Sequence, residues 1–158
     1  MTGRQKAAPP MDYLIHDSFG YQIRVTGIVL RRHFMQTYAA QDIEITPEQL
    51  TLLTLLARRD DWSLTELARA NNQDKGAVTR MTQGMQASRW IQVRPDPASG
   101  RNKTIRLTPK GRAILEASEE ISRKRQKFLE QALSASERAQ LIDMLERIRR
   151  HAAETPMP

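Results

Sequence analysis

The chain has 158 residues, enough for one compact domain with its own core or for a small domain carrying extra association helices. Lys and Arg outnumber Asp and Glu by 25 to 18, and the resulting net charge of +7 favours polyanionic partners. No cysteine is present, which excludes disulfide staples, thiolate nucleophiles, thiol redox sensing and Cys-rich zinc sites, and no apolar run approaches the ~18 residues that span a bilayer.

Residues 1–10 are polar, contain Pro9 and Pro10, and read as a disordered tail. They lack the apolar stretch of a secretory signal, so a cytoplasmic protein without membrane association is expected. From Tyr13 to about Tyr38, apolar residues at Ile15, Phe19, Ile23, Leu30, Phe34 and Tyr38 follow a helical period and predict one long amphipathic helix. Thr46-Pro47-Glu48-Gln49 opens a second helix, with Thr as cap, Pro at the first position and Gln at the capping-box site. Its core stripe is expected at Leu50, Leu53, Leu56 and Ala57, and Arg58-Arg59-Asp60-Asp61 forms a polar exit.

Ser63 and Glu66 repeat the capping-box spacing ahead of Leu64, Leu67 and Ala68. Asn71-Asn72-Gln73-Asp74 has turn and cap chemistry, after which Val78, Met81 and Met85 define the apolar side of another helix. At 100° per residue, the opposite side carries Gly76, Thr79, Arg80 and Gln83. Trp90, Ile91 and Val93, then Ile105 and Leu107 alternating with Thr104 and Arg106, predict two short strands with one buried face, joined through Asp96-Pro97-Ala98-Ser99-Gly100-Arg101. Helix, tight turn, helix and hairpin is the order of a winged helix-turn-helix.

Thr108-Pro109 caps a long helix whose stripe is expected at Ile114, Leu115, Ile121, Phe128, Leu129, Ala132 and Leu133. Ser134 and Glu137 open a last helix carrying Leu141, Ile142, Leu145 and Ile148. The fold class is therefore mainly α with a small β-hairpin wing: a winged helix-turn-helix plus N- and C-terminal dimerisation helices. The expected boundaries are a disordered tail at 1–10, an N-terminal dimerisation helix at 11–44, the DNA-binding domain at 45–112, C-terminal dimerisation helices at 113–152 and a tail at 153–158. The terminal stripes have no place on a winged module of about 60 residues, so a homodimer is expected, with recognition helices about one DNA turn apart on a pseudo-palindrome.

Arg80 and Gln83 supply the donors and acceptors that base edges present in a major groove, and Gly76 permits close approach. Lys75, Arg94, Arg101 and Lys103 suit phosphates or a narrow minor groove. Tyr13, His16, Arg24, His33 and Trp62 are candidates for a ligand cleft near the first helix. His16, His33 and His151 are scattered, and no Gly-rich phosphate loop or G-x-S-x-G turn occurs, so no enzyme, metal or cofactor site is expected. The alternative is a helical adaptor or a nucleic-acid-binding protein without sequence preference, using Arg123-Lys124-Arg125 and Arg147-Ile148-Arg149-Arg150.

From Ile45 to about Leu115 the chain resembles the MarR family of bacterial winged-helix transcription regulators. The resemblance lies in Ile45-Thr46-Pro47-Glu48-Gln49-Leu50, Leu53, Leu56, Leu64-Thr65-Glu66-Leu67-Ala68, Ala77-Val78-Thr79-Arg80, Asp96-Pro97, Arg101 and Leu107-Thr108-Pro109-Lys110-Gly111. It implies a homodimer on double-stranded DNA, typically a repressor released when a small, often aromatic or phenolic anion binds. It also implies that Thr79, Arg80 and Gln83 lie on the recognition helix, with Lys75 near its start and Arg101 as the wing arginine. Several positions depart from the family pattern. Ser99 stands where an acidic residue usually braces the wing, and Gly100 where another charge is common. Gln83-Gly84 replaces an acidic-basic pair, Asn71 and Gln73 stand where apolar residues are frequent, and Arg89 replaces a glycine before the wing.

Overall fold

The computed structural model describes residues 15, 17–95 and 103–155. Its elements run in chain order as α1 (Phe19–Ala39), α2 (Pro47–Arg58), β1 (Trp62–Ser63), α3 (Leu64–Ala70), α4 (Lys75–Ala87), β2 (Ile91–Pro95), β3 (Lys103–Leu107), α5 (Pro109–Glu130) and α6 (Ala135–Glu154). The chain divides between Arg112 and Ala113 into two compact units.

The single helix expected from Tyr13 is interrupted: Ile15 is helical, but Asp17 and Ser18 are not, and α1 begins at Phe19. Ser18 is the N-cap of α1, its hydroxyl accepting from the Tyr21 N–H, and the helix ends at Ala39, next to the expected end at Tyr38. Asp42, at φ 55°, then reverses the chain so that the Ile43 N–H reaches the Tyr38 carbonyl at 3.1 Å. Only the C-terminal part of α1 enters the core, through Phe34 and Tyr38, whose rings stack 4.3 Å apart.

Capping chemistry sets the next helix starts. Thr46 and Gln49 satisfy each other's backbone N–H groups at 3.2 and 2.9 Å, and Ser63 and Glu66 do the same at 3.2 and 2.8 Å. In α2 the buried set is Leu52, Leu53 and Leu56, whereas Leu50 and Ala57 are half-buried. The stripe is rotated from the expected one because α2 packs against three elements, α1, α3 and β3, and not one. In α4 the buried set is Val78, Thr82 and Met85, with Met81 half-buried. Thr82 is tolerated inside because its hydroxyl donates to the Val78 carbonyl at 2.9 Å.

The sheet has three strands in the order β1-β3-β2, all antiparallel neighbours, so the expected hairpin gains a third strand. Trp62 and Ser63 pair with Ile105 and Thr104, while β2 pairs with β3 from Ile91↔Leu107 to Pro95↔Lys103. As the central strand, β3 buries both Thr104 and Ile105, where alternation alone predicts one buried face. The core of the first unit gathers Phe34, Tyr38, Ile45, the α2 leucines, Leu67, Val78, Met85, Ile91 and Ile105. Each such side chain contributes about 1.5–3 kcal/mol on leaving water.

The start of α5 is tied to the α4–β2 corner. Thr108 donates its N–H to the Trp90 carbonyl at 3.0 Å, its hydroxyl lies 2.7 Å from the Arg89 carbonyl, and that hydroxyl accepts from the Gly111 N–H at 3.1 Å. Within the second unit, α5 stops at Glu130, so Ala132 and Leu133 lie in the connecting turn rather than extending its stripe. Ser134 and Glu137 form the capping box of α6, as their spacing predicts.

Candidate nucleic-acid interface

The segment α3–turn–α4 places one side of α4 in the core and the other in solvent. Asp74 caps the helix by accepting from the Ala77 N–H at 2.8 Å, after Asn72 turns the chain at φ 51°. Gly76, Arg80 and Gln83 are exposed at i, i+4 and i+7, opposite Val78 and Met85. They cover two turns, about 10 Å of helix, close to three base-pair steps. A Cβ on Gly76 would lie 3.1 Å from Asp74 Oδ1 and 3.7 Å from Arg80 Nη1, so the missing side chain leaves room for the cap and the guanidinium together.

Thr79 differs from the expectation. It stands on the flank of α4, half-buried, with its hydroxyl donating to the Lys75 carbonyl at 2.6 Å. Its oxygen can accept a hydrogen bond, but its proton is committed to the backbone. A Cβ on Gly84 would have no neighbour within 4 Å, and α4 runs unbroken through this residue, so neither close packing nor interruption accounts for the glycine.

On the hairpin, Arg94 and Lys103 are exposed near the Pro95↔Lys103 end of the β2–β3 ribbon, and Arg94 Nε donates to Gln92 Oε1 at 3.2 Å. Lys75 is exposed at the first position of α4. Arg101, with Ser99 and Gly100, lies outside the described residues. Arg89 adopts φ 61°, the left-handed region, which explains why a glycine suits this corner.

Sequence reasoning missed an ion pair at the base of the ribbon. Arg106 grips Asp61 with both arms of its guanidinium, Nε to Oδ1 at 2.6 Å and Nη2 to Oδ2 at 2.5 Å. The Arg106 hydrogen bonds hold the Asp61 carboxyl below its ordinary range, and the same bonds raise the Arg106 pKa. Beside it, Arg59 stacks 4.0 Å over the Trp62 ring and pairs with Glu66. The Ser63 hydroxyl first, then Arg59 and the Ser63 N–H, depress the Glu66 pKa to about 2. Asp61 and Arg106 are 45 residues apart, and only the pairing of β1 with β3 brings them together.

Of the five ligand candidates, three fall among the described residues. Tyr13 and His16 lie outside the described residues. Arg24 is exposed and packs 5.1 Å over the Tyr21 ring, and His33 is nine residues further along α1, which puts the two on opposite faces of the helix. Trp62 belongs to β1, and its indole N–H is buried without a partner among the described residues. A separate apolar groove lies between the end of α1 and the start of α2, lined by Met35, Gln36, Ala39, Ile43 and Thr46 among others, and includes none of the candidates. Among the described residues no cluster of His, Cys, Asp or Glu could hold a metal, and no helix is long and apolar enough to cross a membrane.

Residues 43–102 match the sequence model of the MarR family. Over 105 residues the chain is 35% identical to a protein of Bacillus subtilis (strain 168) named "Uncharacterized HTH-type transcriptional regulator YdgJ", covering 66% of this chain and 64% of that relative's length. The fold is shared with the transcriptional repressor CouR bound to a 23-mer DNA duplex, at a TM-score of 0.79 and 23% identity over 90% of this chain and 99% of that one. It is also shared with Bordetella bronchiseptica BpsR, whose structure concerns regulation of DNA binding by 6-hydroxynicotinic acid, at a TM-score of 0.77 and 23% identity over 88% and 95% of the two chains. With the helix-turn-helix, the three-stranded wing sheet and these matches together, the winged module matched at residues 43–102 is that of the MarR family of winged-helix transcriptional regulators.

Proposed function

We propose that the protein is a homodimeric, sequence-specific DNA-binding repressor in the cytoplasm, released from a pseudo-palindromic operator by a small aromatic or phenolic anion. The observation that carries the reading is the solvent face of α4, where Arg80 and Gln83 flank a two-turn surface free of acidic residues while Val78, Thr82 and Met85 hold the helix on the core. Arg80 and Gln83 read base edges, Thr79 accepts from one, and Lys75, Arg94, Arg101 and Lys103 contact phosphates or the minor groove.

Dimerisation is supported by apolar side chains left in water by a single chain. On α1 these include Phe19 at 69% exposure, and on α6 they include Ile142 at 59%. Burying such faces against a second copy favours two-fold association. The adaptor alternative is weakened by the acids beside its basic clusters: Glu120 pairs with Arg123 and Lys124, Asp143 with Arg147, and Glu146 with Arg149.

Ligand release requires a dimer geometry that the anion prefers and the operator does not. Since Arg24 and His33 lie on opposite faces of α1, the effector contact falls to Trp62, whose buried indole N–H has no acceptor among the described residues. The test is selection of bound sequences from random duplex DNA, with a count of protomers per duplex. An enriched inverted repeat holding two protomers supports the reading, and binding with no enriched motif refutes sequence-specific regulation.

A further inference from the structure

Asp61 sits at φ 64°, a conformation that glycine adopts at no steric cost, and it immediately precedes β1. An aspartate held there makes sense through what its carboxylate does, and that carboxylate is engaged at two points by Arg106. Alternation along β3 puts Arg106 on the same side as Thr104, and the register Arg94↔Thr104 and Gln92↔Arg106 adds Gln92 and Arg94 to that side. The hydrogen bond between Arg94 and Gln92 agrees with this arrangement. Arg106 is therefore the diagonal neighbour of Arg94, roughly 7–8 Å away along the backbone. Without Asp61, the ribbon would offer DNA two guanidinium groups on one side.

We infer that Asp61 is a specificity-determining residue of the DNA interface: its two-point grip keeps Arg106 off the phosphate backbone and holds the base of the β2–β3 ribbon in one orientation. This inference rests on the DNA-binding reading above. Unpaired cations raise affinity for every sequence alike, because phosphate contacts carry no sequence information. Pairing Arg106 within the protein leaves a larger share of the binding free energy to α4. Asp61 also lies in the field of Arg94, so its charge tempers that contact as well.

The experiment uses the full chain as wild type, Asp61→Asn, Asp61→Gly, Arg106→Gln and the Asp61→Asn/Arg106→Gln double variant. Affinity is measured by fluorescence anisotropy over a salt series, for the selected inverted repeat and for a scrambled duplex of equal length, alongside the urea midpoint of each protein. Asp61→Asn and Asp61→Gly are expected to bind the scrambled duplex more tightly. Their salt dependence should steepen by roughly one phosphate per protomer, and the ratio of specific to scrambled affinity should fall about tenfold. The steepening should vanish in both proteins carrying Arg106→Gln. Asp61→Gly relieves the backbone and should keep the wild-type midpoint, which separates specificity from folding. An unchanged ratio and slope in the Asp61 variants overturn the inference, as does a parallel loss of both affinities with a lowered midpoint. A wild type that prefers no sequence refutes the DNA-reading proposal instead, and the slope comparison then still decides whether Asp61 withholds Arg106.

Discussion

Replacing Gly111 with alanine would strike the junction between α5 and the α4–β2 corner. A Cβ built on Gly111 lies 2.1 Å from the Trp90 carbonyl oxygen and 2.9 Å from both the Trp90 carbonyl carbon and Leu107 Cδ1. Contact between a methyl group and a carbonyl oxygen needs about 3.2 Å, so the first turn of α5 must retreat by roughly an ångström. That retreat stretches the Thr108 N–H bond to Trp90, now 3.0 Å, and the Thr108 hydroxyl contacts at 2.7 and 2.9 Å to the Arg89 and Trp90 carbonyls. At about 1 kcal/mol for each hydrogen bond weakened, and with 1–3 kcal/mol typical of an overpacked methyl, the loss should come to about 2–4 kcal/mol. In thermal terms this is roughly 4–16 °C for a chain of this size. Urea unfolding followed by circular dichroism at fixed protein concentration measures it. A Gly111→Ala protein within ~0.5 kcal/mol of wild type would show that the corner yields freely and that the close approach is not a constraint.

Other expectations test separate parts of the molecule. Arg89→Gly should stabilise by about 0.5–1 kcal/mol, because relief of the left-handed φ exceeds the added freedom of the unfolded chain; a lower urea midpoint would contradict this. Gly84→Ala should also stabilise by about 0.5–1 kcal/mol, read from the same midpoint, since the space beside it is open. Glu66 has a folded pKa depressed from 4.5 to about 2, so its contribution is present above its unfolded pKa and is lost as pH falls through the folded one. The stability gap between wild type and Glu66→Gln should therefore be widest above about pH 5 and close toward pH 2, and a gap independent of pH would discard the assignment. Arg80→Ala should weaken operator binding by about 1–3 kcal/mol per half-site and relax base preference, whereas unchanged affinity in anisotropy titrations would remove Arg80 from the reading surface.

What could be read from the chain was what local chemistry encodes. The Thr46/Gln49, Ser63/Glu66 and Ser134/Glu137 boxes each act across three residues, and all three open helices where their spacing predicts. The exposed side of α4 followed from the same locality, since Val78 and Met85 orient the helix whatever lies beyond it. Features made by packing were harder. Leu52 is buried on a helix that packs against three elements and not one, and Thr82 enters the core because its hydroxyl finds the backbone four residues earlier. The pair of residues in β1 carries no alternation of its own, so neither the third strand nor the Asp61–Arg106 bridge that it positions has a signal in the linear pattern. On α1, periodicity continued past Ser18, but a hydroxyl competing for the backbone decided the start.

Among the described residues, the distribution of backbone freedom is inverted from the usual one. Every described residue with a left-handed φ bears a side chain, namely Asp42, Asp61, Asn72 and Arg89, while Gly20, Gly27, Gly76, Gly84 and Gly111 all lie within helices. Corners built from such residues have fewer alternative conformations than glycine corners, and are stiff joints. Compliance is displaced into the rods: α1 carries two glycines one heptad apart, and α4 carries one in its last turns. A change in operator fit would then be carried by bending of these helices between rigid elbows, rather than by rotation at the turns that connect them.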